Sequence, residues 1–272
     1  VSYTIKPVSR FSLGLSEIWE FRELFYYFVW RDIKVRYKQT IFGVLWAILQ
    51  PLMLMITFSF VFKRALNIPS DDIPYPIFAY SGLMFWNIFS TGLSNAANSL
   101  LTNSRIVKKI YFPRLIIPTS SVLVSVFDFL MALSVYFVLL LYYQHSVNVL
   151  RLVTLLPLAL LITVFSTCGM GYLLAALNVK YRDFKYALPF FIQMLLFISP
   201  ILYPSSIFKG DYAKYAFALN PVAGAVNLSR SIFIDKPIEW NLIGISLGST
   251  LLVFVLGVYF FRKEEAFFAD IV

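Results

Sequence analysis

The chain has 272 residues, of which 60% are hydrophobic, 18% aromatic and only 14% charged, with a mean hydropathy of +0.77. Soluble domains run near 45–50% apolar with about a quarter of their residues charged, and disordered chains are poor in aromatics, so both classes are excluded. One cysteine, Cys168, and one histidine, His145, leave no intrachain disulfide and no zinc-type cluster, while the formal charge of +9 fits membrane topology better than nucleic-acid binding.

The chain opens with a segment, 16–38, that reads as an amphipathic helix lying in the membrane interface. Ile18, Phe21, Phe25 and Phe28 recur on one face, and Glu20, Glu23, Arg31 and Lys34 fall on the other. Trp19 and Trp30 at the borders suit the headgroup layer, although Arg22 and Asp32 interrupt the stripe. Such a segment is too small to fold as a soluble domain by itself.

Six apolar runs follow, each near the roughly 20 residues that cross about 30 Å of hydrocarbon. They are 41–62, 76–97, 115–143, 152–179, 186–208 and 241–261. The first begins too late, is too long and lacks the cleavage site of a signal peptide. The expectation is an all-α polytopic membrane protein in three parts: a cytoplasmic N-terminus at 1–40, a six-span domain at 41–262 and a cytoplasmic tail at 263–272. With both termini inside, sixteen Lys and Arg fall on the cytoplasmic side and seven outside, the bias that the positive-inside rule requires.

Between the spans, the segments 98–114 and 180–185 are short, basic and cytoplasmic in this topology. Their charges either enforce the topology alone or dock a cytoplasmic partner. The outer segment 209–239 contains 14 uncharged residues, 216–229, broken by Asn220-Pro221. These are too few to span, and they read as a re-entrant hairpin of two short helices between spans five and six, a surface-lying amphipathic loop being the alternative. Irregular backbone at membrane depth survives only against protein or a watery cavity, so the hairpin is expected to border a pathway.

Catalytic machinery is not apparent. The sequence has no Gly-Lys dipeptide, which excludes a nucleotide-binding P-loop. His145 sits at the expected outer face as a solvated residue without a serine or acid partner. Asp128 is the one ionisable residue inside a span, on a seam with Ser121 and Ser125. An intramembrane carboxylate is a functional candidate, but hydrogen bonding to a neighbouring helix is the favoured reading. Gly244-x-x-x-Gly248 and Gly171-x-x-x-Ala175 permit close helix packing. Phe197, Tyr203, Tyr212 and Tyr215 lie near the outer hairpin, where rings either stack on a passing sugar or anchor in the interfacial belt, the commoner role.

The run Trp30-Arg31-Asp32-Ile33-Lys34-Val35-Arg36-Tyr37-Lys38-Gln39-Thr40, followed by Gly43, Trp46 and Pro51, resembles the entry to the first span of ABC transporter permeases of the type-2 exporter kind. Leu177-Asn178-Val179-Lys180-Tyr181-Arg182-Asp183 and Asn220-Pro221 fit the same family, in particular the branch exporting O-antigen, capsule or teichoic acid. The resemblance implies a homodimer of this chain with two copies of a separate ATPase, which would carry the ATP and Mg²⁺, this chain holding no cofactor. It implies ATPase-coupling loops at Asn103, Arg105, Lys108, Lys109 and Tyr111, and at Lys180, Arg182 and Asp183. An outer gate and channel would involve Phe197, Tyr203, Tyr212, Tyr215, Asn220 and Pro221. The implied cargo is a glycan on a polyprenyl diphosphate, which Arg31, Arg36 and Lys38 could attract at the cytoplasmic entrance, with no nucleic acid involved.

The resulting expectation is a transport subunit, not an enzyme, in a bacterial inner membrane. An exporter of small hydrophobic compounds is the alternative within the class. A membrane enzyme acting on polyprenyl-linked sugars is disfavoured because Asp71-Asp72, the one adjacent acidic pair before the C-terminal tail, has no histidine or third acid beside it. An ion-coupled carrier is disfavoured by the single intramembrane charge.

Overall fold

The computed structural model describes residues 15–38, 43, 45–65, 73–145, 147–181, 183–204, 207, 211–233 and 238–268. Helices account for nearly all of them, and no strand occurs among the described residues. Asp71 and Asp72, weighed above, lie outside the described residues, as do 1–14 and 269–272.

In chain order the helices are α1 (Leu15–Glu20), α2 (Arg22–Lys38), α3 (Leu45–Phe58), α4 (Tyr75–Thr102), α5 (Ser104–Lys109), α6 (Ile116–Tyr142), α7 (Val149–Lys180), α8 (Phe184–Ile198), α9 (Asp211–Ala218), α10 (Pro221–Phe233) and α11 (Trp240–Glu264). A wider-wound stretch, Ser59–Ala65, prolongs α3, and a 3₁₀ turn, Glu265–Phe267, prolongs α11. Four of these units are long and apolar enough to cross a membrane: Leu45–Arg64, Ile116–Tyr142, Val149–Lys180 and Trp240–Phe267. They make the chain a multi-pass helical membrane protein.

The bundle is built around α4, which packs on α6 and α7 along its length and also touches α3, α8 and α10. Pro76 lies in its first turn, where a missing N–H costs nothing. Its inner face is closed by Ile77, Phe78, Tyr80, Phe85 and Ile88, all buried. Phe85 meets Phe129 of α6 at 5.0 Å, and Tyr80 stacks on Tyr136 at 5.8 Å.

Helices α7 and α11 meet backbone to backbone. A Cβ on Gly257 would fall 2.0 Å from the Gly169 carbonyl oxygen, and one on Gly169 would lie 2.6 Å from Phe254 Cα. Backbones approach this closely only where side chains are missing. The expected motif members behave differently: Gly171 packs on Ala96 of α4, whereas Gly244 and Gly248 have nothing within 4 Å.

Two expected elements change shape. The segment 16–38 is two helices joined at Phe21, with Phe28 buried against Phe112 and Ile18, Phe21 and Phe25 packed on the same cluster. That stripe therefore faces protein, and Trp19, Tyr26, Tyr27 and Trp30 are exposed. The fifth run, expected over 186–208, is helical only to Ile198. Ser199 is extended (ψ 142), as a residue before proline prefers, and Pro200 has no N–H with which to continue the helix.

Candidate functional site

Three groups of side chains stand out, and the first gathers the short basic segments around α5 and the end of α7. The short helix α5 is pinned by buried Val107 and by Phe112 just beyond it, which leaves Arg105, Lys108, Lys109 and Tyr111 exposed. Asn103 joins α4 to α5. Its amide donates to the Ser99 carbonyl (2.9 Å), and its side-chain oxygen accepts from Arg31 Nη2 (2.9 Å).

Two consecutive acids at the end of α11 hold the flanking segments. Glu264 lies 3.4 Å from Lys180 Nζ at the end of α7. The Glu265 carboxylate accepts from the Arg114 N–H (3.1 Å) and from Arg262 Nη1 (2.6 Å), and its carbonyl accepts from the Arg114 guanidinium. The loop before α6, the end of α7 and the end of α11 thus meet at one end of the bundle. Asp183, exposed, precedes α8, where its carbonyl accepts from the Tyr186 and Ala187 N–H groups; Arg182 lies outside the described residues.

The second group lies between α2, α4 and α6. Arg31 donates through Nε (2.9 Å) and Nη2 (2.7 Å) to Asp32 Oδ1, with its guanidinium 4.6 Å above the Phe28 ring. Arg36 Nη1 stands 2.7 Å from Asp128 Oδ2. This is an ion-pair contact, because that buried nitrogen's N–H is not aimed along a hydrogen-bond direction. Tyr37 donates its hydroxyl to Asp128 Oδ1, and burial, then that bond, push its pKa up, so it stays a donor. Asp128 is twelve residues into α6, so α2 reaches about 18 Å along that helix. Ser121 and Ser125 bond to carbonyls of their own helix, while Lys38 is exposed.

Two polar cavities open here. One of about 330 Å³ is lined by Arg31, Arg36, Asn95, Asn98, Ser121 and their neighbours. The other, about 210 Å³, is lined by Arg36, Tyr37, Trp46, Gln50, Asn87, Thr91 and Asp128, among others.

The third group is at the opposite end. Asn220 and Pro221 begin α10: the Asn220 side chain accepts from the Val222 N–H (3.1 Å) and donates to Ser199 Oγ (2.6 Å). An Asn cap followed by proline is a strong helix start. Buried Arg230 of α10 donates to the carbonyls of Pro200 (2.7 Å) and Ile201 (2.5 Å), 3.7 Å over the Phe78 ring. Tyr203 donates to the carbonyls of Phe197 and Ile198, both at 2.9 Å. The rings do not form one patch: Tyr212 is exposed, and Tyr215 lines a separate cavity with Lys214 and Trp240.

Sequence reading missed Tyr37, Arg114, Arg230, Glu264, Glu265 and the α4 face of Asn87, Thr91 and Asn95. Only the last carried a usable signal, its four-residue spacing. No group of three or more metal-ligating side chains occurs among the described residues.

A bundle of long apolar helices with short basic elements gathered at one end, in a sequence without a P-loop, has the build of a membrane permease. The profile of the ABC-2 type transporter family matches residues 23–234, and the chain belongs to that family. It is 30% identical over 241 residues to the O-antigen export system permease protein RfbA of Klebsiella pneumoniae, covering 89% of this chain and 92% of the relative. A Myxococcus xanthus protein of the same name is 28% identical over 92% of this chain and 96% of its own. The polysialic acid transport protein KpsM of Escherichia coli is 27% identical over 86% and 91%.

Proposed function

We propose that this chain is the membrane subunit of an ATP-driven exporter that moves a polyprenyl-linked polysaccharide outward across a bacterial inner membrane. The observation that carries the reading is the gathering of both basic loops at one end of the bundle by Glu264 and Glu265. A permease without a P-loop needs a docking face for a partner that hydrolyses ATP. The exposed Arg105, Lys108 and Lys109, with Lys180 and Asp183 beside them, supply one. The names of the relatives support a polysaccharide cargo over a small hydrophobic compound.

The six spans are α3, α4, α6, α7, α8 and α11, with both termini cytoplasmic. At 28 residues, α4 is about 42 Å long and crosses despite its polar face. Helix α8 completes its crossing through the bent segment that Arg230 holds. Burial of α10 against α4, α7 and α11 supports a re-entrant α9–α10 hairpin at the outer face. Two copies of the chain pair with two ATPase subunits that bind ATP and Mg²⁺. The exposed faces of α3 and its wider-wound extension (Met53, Ile56, Phe60) and of α8 (Phe190, Phe191, Phe197) flank the path between the copies. Closure of the ATPases on ATP pushes α5 and the 180–185 turn, and packed spans shift as rigid bodies.

The test is reconstitution with and without a co-expressed ATPase. Glycan export is expected only with the ATPase, and Lys108→Glu/Lys109→Glu is expected to leave insertion intact while separating hydrolysis from export. Uphill export by this chain alone, or normal coupling in the double variant, overturns the reading.

A further inference from the structure

On α4, Asn87, Thr91 and Asn95 recur every four residues on one face, and none of their side chains hydrogen-bonds a described residue. Asn98 and Thr102 continue the line, but they bond to carbonyls of their own helix at 2.8 and 3.0 Å, and Asn98 also accepts from Asn178. An amide or hydroxyl turned to hydrocarbon without a partner costs several kcal/mol. This face therefore has to meet water or a polar ligand, and it opens on the two cavities beside α2.

The charge in those cavities narrows the ligand. Arg31 is paired with Asp32, and Arg36 with Asp128, so each cation is matched by a carboxylate. A chamber so balanced offers little net attraction to an anion. It does offer alternating donors and acceptors: the amides of Gln50, Asn87 and Asn95 and the Thr91 hydroxyl. The Trp46 and Tyr37 rings at the same wall supply flat apolar faces. Hydroxyl-matching groups beside a ring face are what a pyranose requires. Small-ligand pockets span about 300–1,000 Å³; the chamber of about 330 Å³ falls at the low end of that range and the one of about 210 Å³ below it, so each suits no more than one sugar unit.

Resting on the exporter reading, we infer that the Asn87–Thr91–Asn95 face is a neutral sugar-binding site that engages the carrier-proximal sugars. Arg31 and Arg36 then position the wall of the site instead of gripping phosphate.

The experiment uses the full permease–ATPase complex in nanodiscs with two probes, polyprenyl diphosphate bearing one N-acetylglucosamine and the bare polyprenyl diphosphate. The wild type is expected to bind the sugar-bearing probe about tenfold or more tightly, as a site built to hydrogen-bond hydroxyls does. Thr91→Val/Asn95→Leu is expected to bind both probes equally, with its ligand-free Tm unchanged, and Thr91→Ser/Asn95→Gln is expected to keep the preference. Equal binding of the probes by wild type, or a preference surviving in Thr91→Val/Asn95→Leu, overturns the sugar site. Glycan export by wild type measured alongside separates that result from failure of the exporter reading itself.

Discussion

Arg36, at the end of α2, and Asp128, midway along α6, approach to 2.7 Å and tie the N-terminal helix to a span. Breaking a fully buried pair costs about 3–5 kcal/mol because one charge is left without its partner. Arg36 keeps 32% of its side chain exposed, so Asp128→Leu is expected to cost less, about 2–3 kcal/mol. Adding Arg36→Met removes the stranded cation and should recover part of the loss; the Tyr37 hydroxyl, which also loses its acceptor, keeps the rest. Thermal unfolding of the purified protein reads both steps; a double variant no more stable than the single one rules out the charge explanation.

The two kinds of glycine on α11 make opposite predictions. Gly257→Ala places a methyl 2.0 Å from the Gly169 carbonyl oxygen, backbone that can yield only if the helices separate. Overpacking of this kind costs about 1–3 kcal/mol or more. Gly248→Ala meets nothing within 4 Å and should be neutral or slightly stabilising, by up to about 1 kcal/mol, from helix propensity. Parallel melting curves decide it, and similar losses in the two variants would mean that Gly248 is packed.

These contrasts show what a sequence displays and what it withholds. The runs that became α3, α6, α7 and α11 were readable because crossing hydrocarbon demands a long uncharged stretch, a property of one segment alone. The break between α9 and α10 was readable because Asn220-Pro221 caps a helix with its own atoms. The Arg36–Asp128 pair was not, since it joins positions far apart in the chain. Gly244-x-x-x-Gly248 and Gly257 present similar small surfaces, and only the arrival of α7 decides which one is used. The polar face of α4 was visible in its spacing, but averaging over a mostly apolar helix hides three side chains. The short α8 was not readable, because Pro189 lies inside the same helix without ending it, and the bend at Pro200 is held by Arg230 from a distant part of the chain.

That bend gives a third prediction. Arg230 donates to the Pro200 and Ile201 carbonyls at 2.7 and 2.5 Å. Hydrogen bonds to a charged group contribute about 1.5–3 kcal/mol each. Arg230→Met leaves both carbonyls unpaired in a buried bend, and Arg230→Lys, a single point donor, can serve only part of the pair. Thiol-labelling rates of a cysteine placed at Tyr203 should rise several-fold in Arg230→Met and less in Arg230→Lys. Unchanged labelling in both would show that the bend holds without the guanidinium.

The last prediction concerns the acids at the end of α11. Glu264 faces Lys180 on one docking segment, and Glu265 faces Arg114 on the other, so neighbouring residues contact both loops on which the ATPase is proposed to push. Lys180 is 41% exposed but its partner Glu264 only 12%, so the pair is part-buried like Arg36–Asp128, and breaking it strands a carboxylate; its position also suits it to transmit displacement. Lys180→Glu sets two carboxylates against each other and should lower the melting temperature modestly, so export is read well below it. It should lower the export achieved per ATP hydrolysed by roughly two- to thirty-fold, the range of about 0.5–2 kcal/mol over which single positions alter coupling. The exchange Lys180→Glu/Glu264→Lys restores opposite charges and should recover the ratio. Measured in vesicles with the ATPase present, a ratio indifferent to both substitutions would mean that the two loops move independently of α11. Recovery in the exchange variant, without any change in ATPase binding, would identify this corner of the bundle as the place where the two strokes are joined.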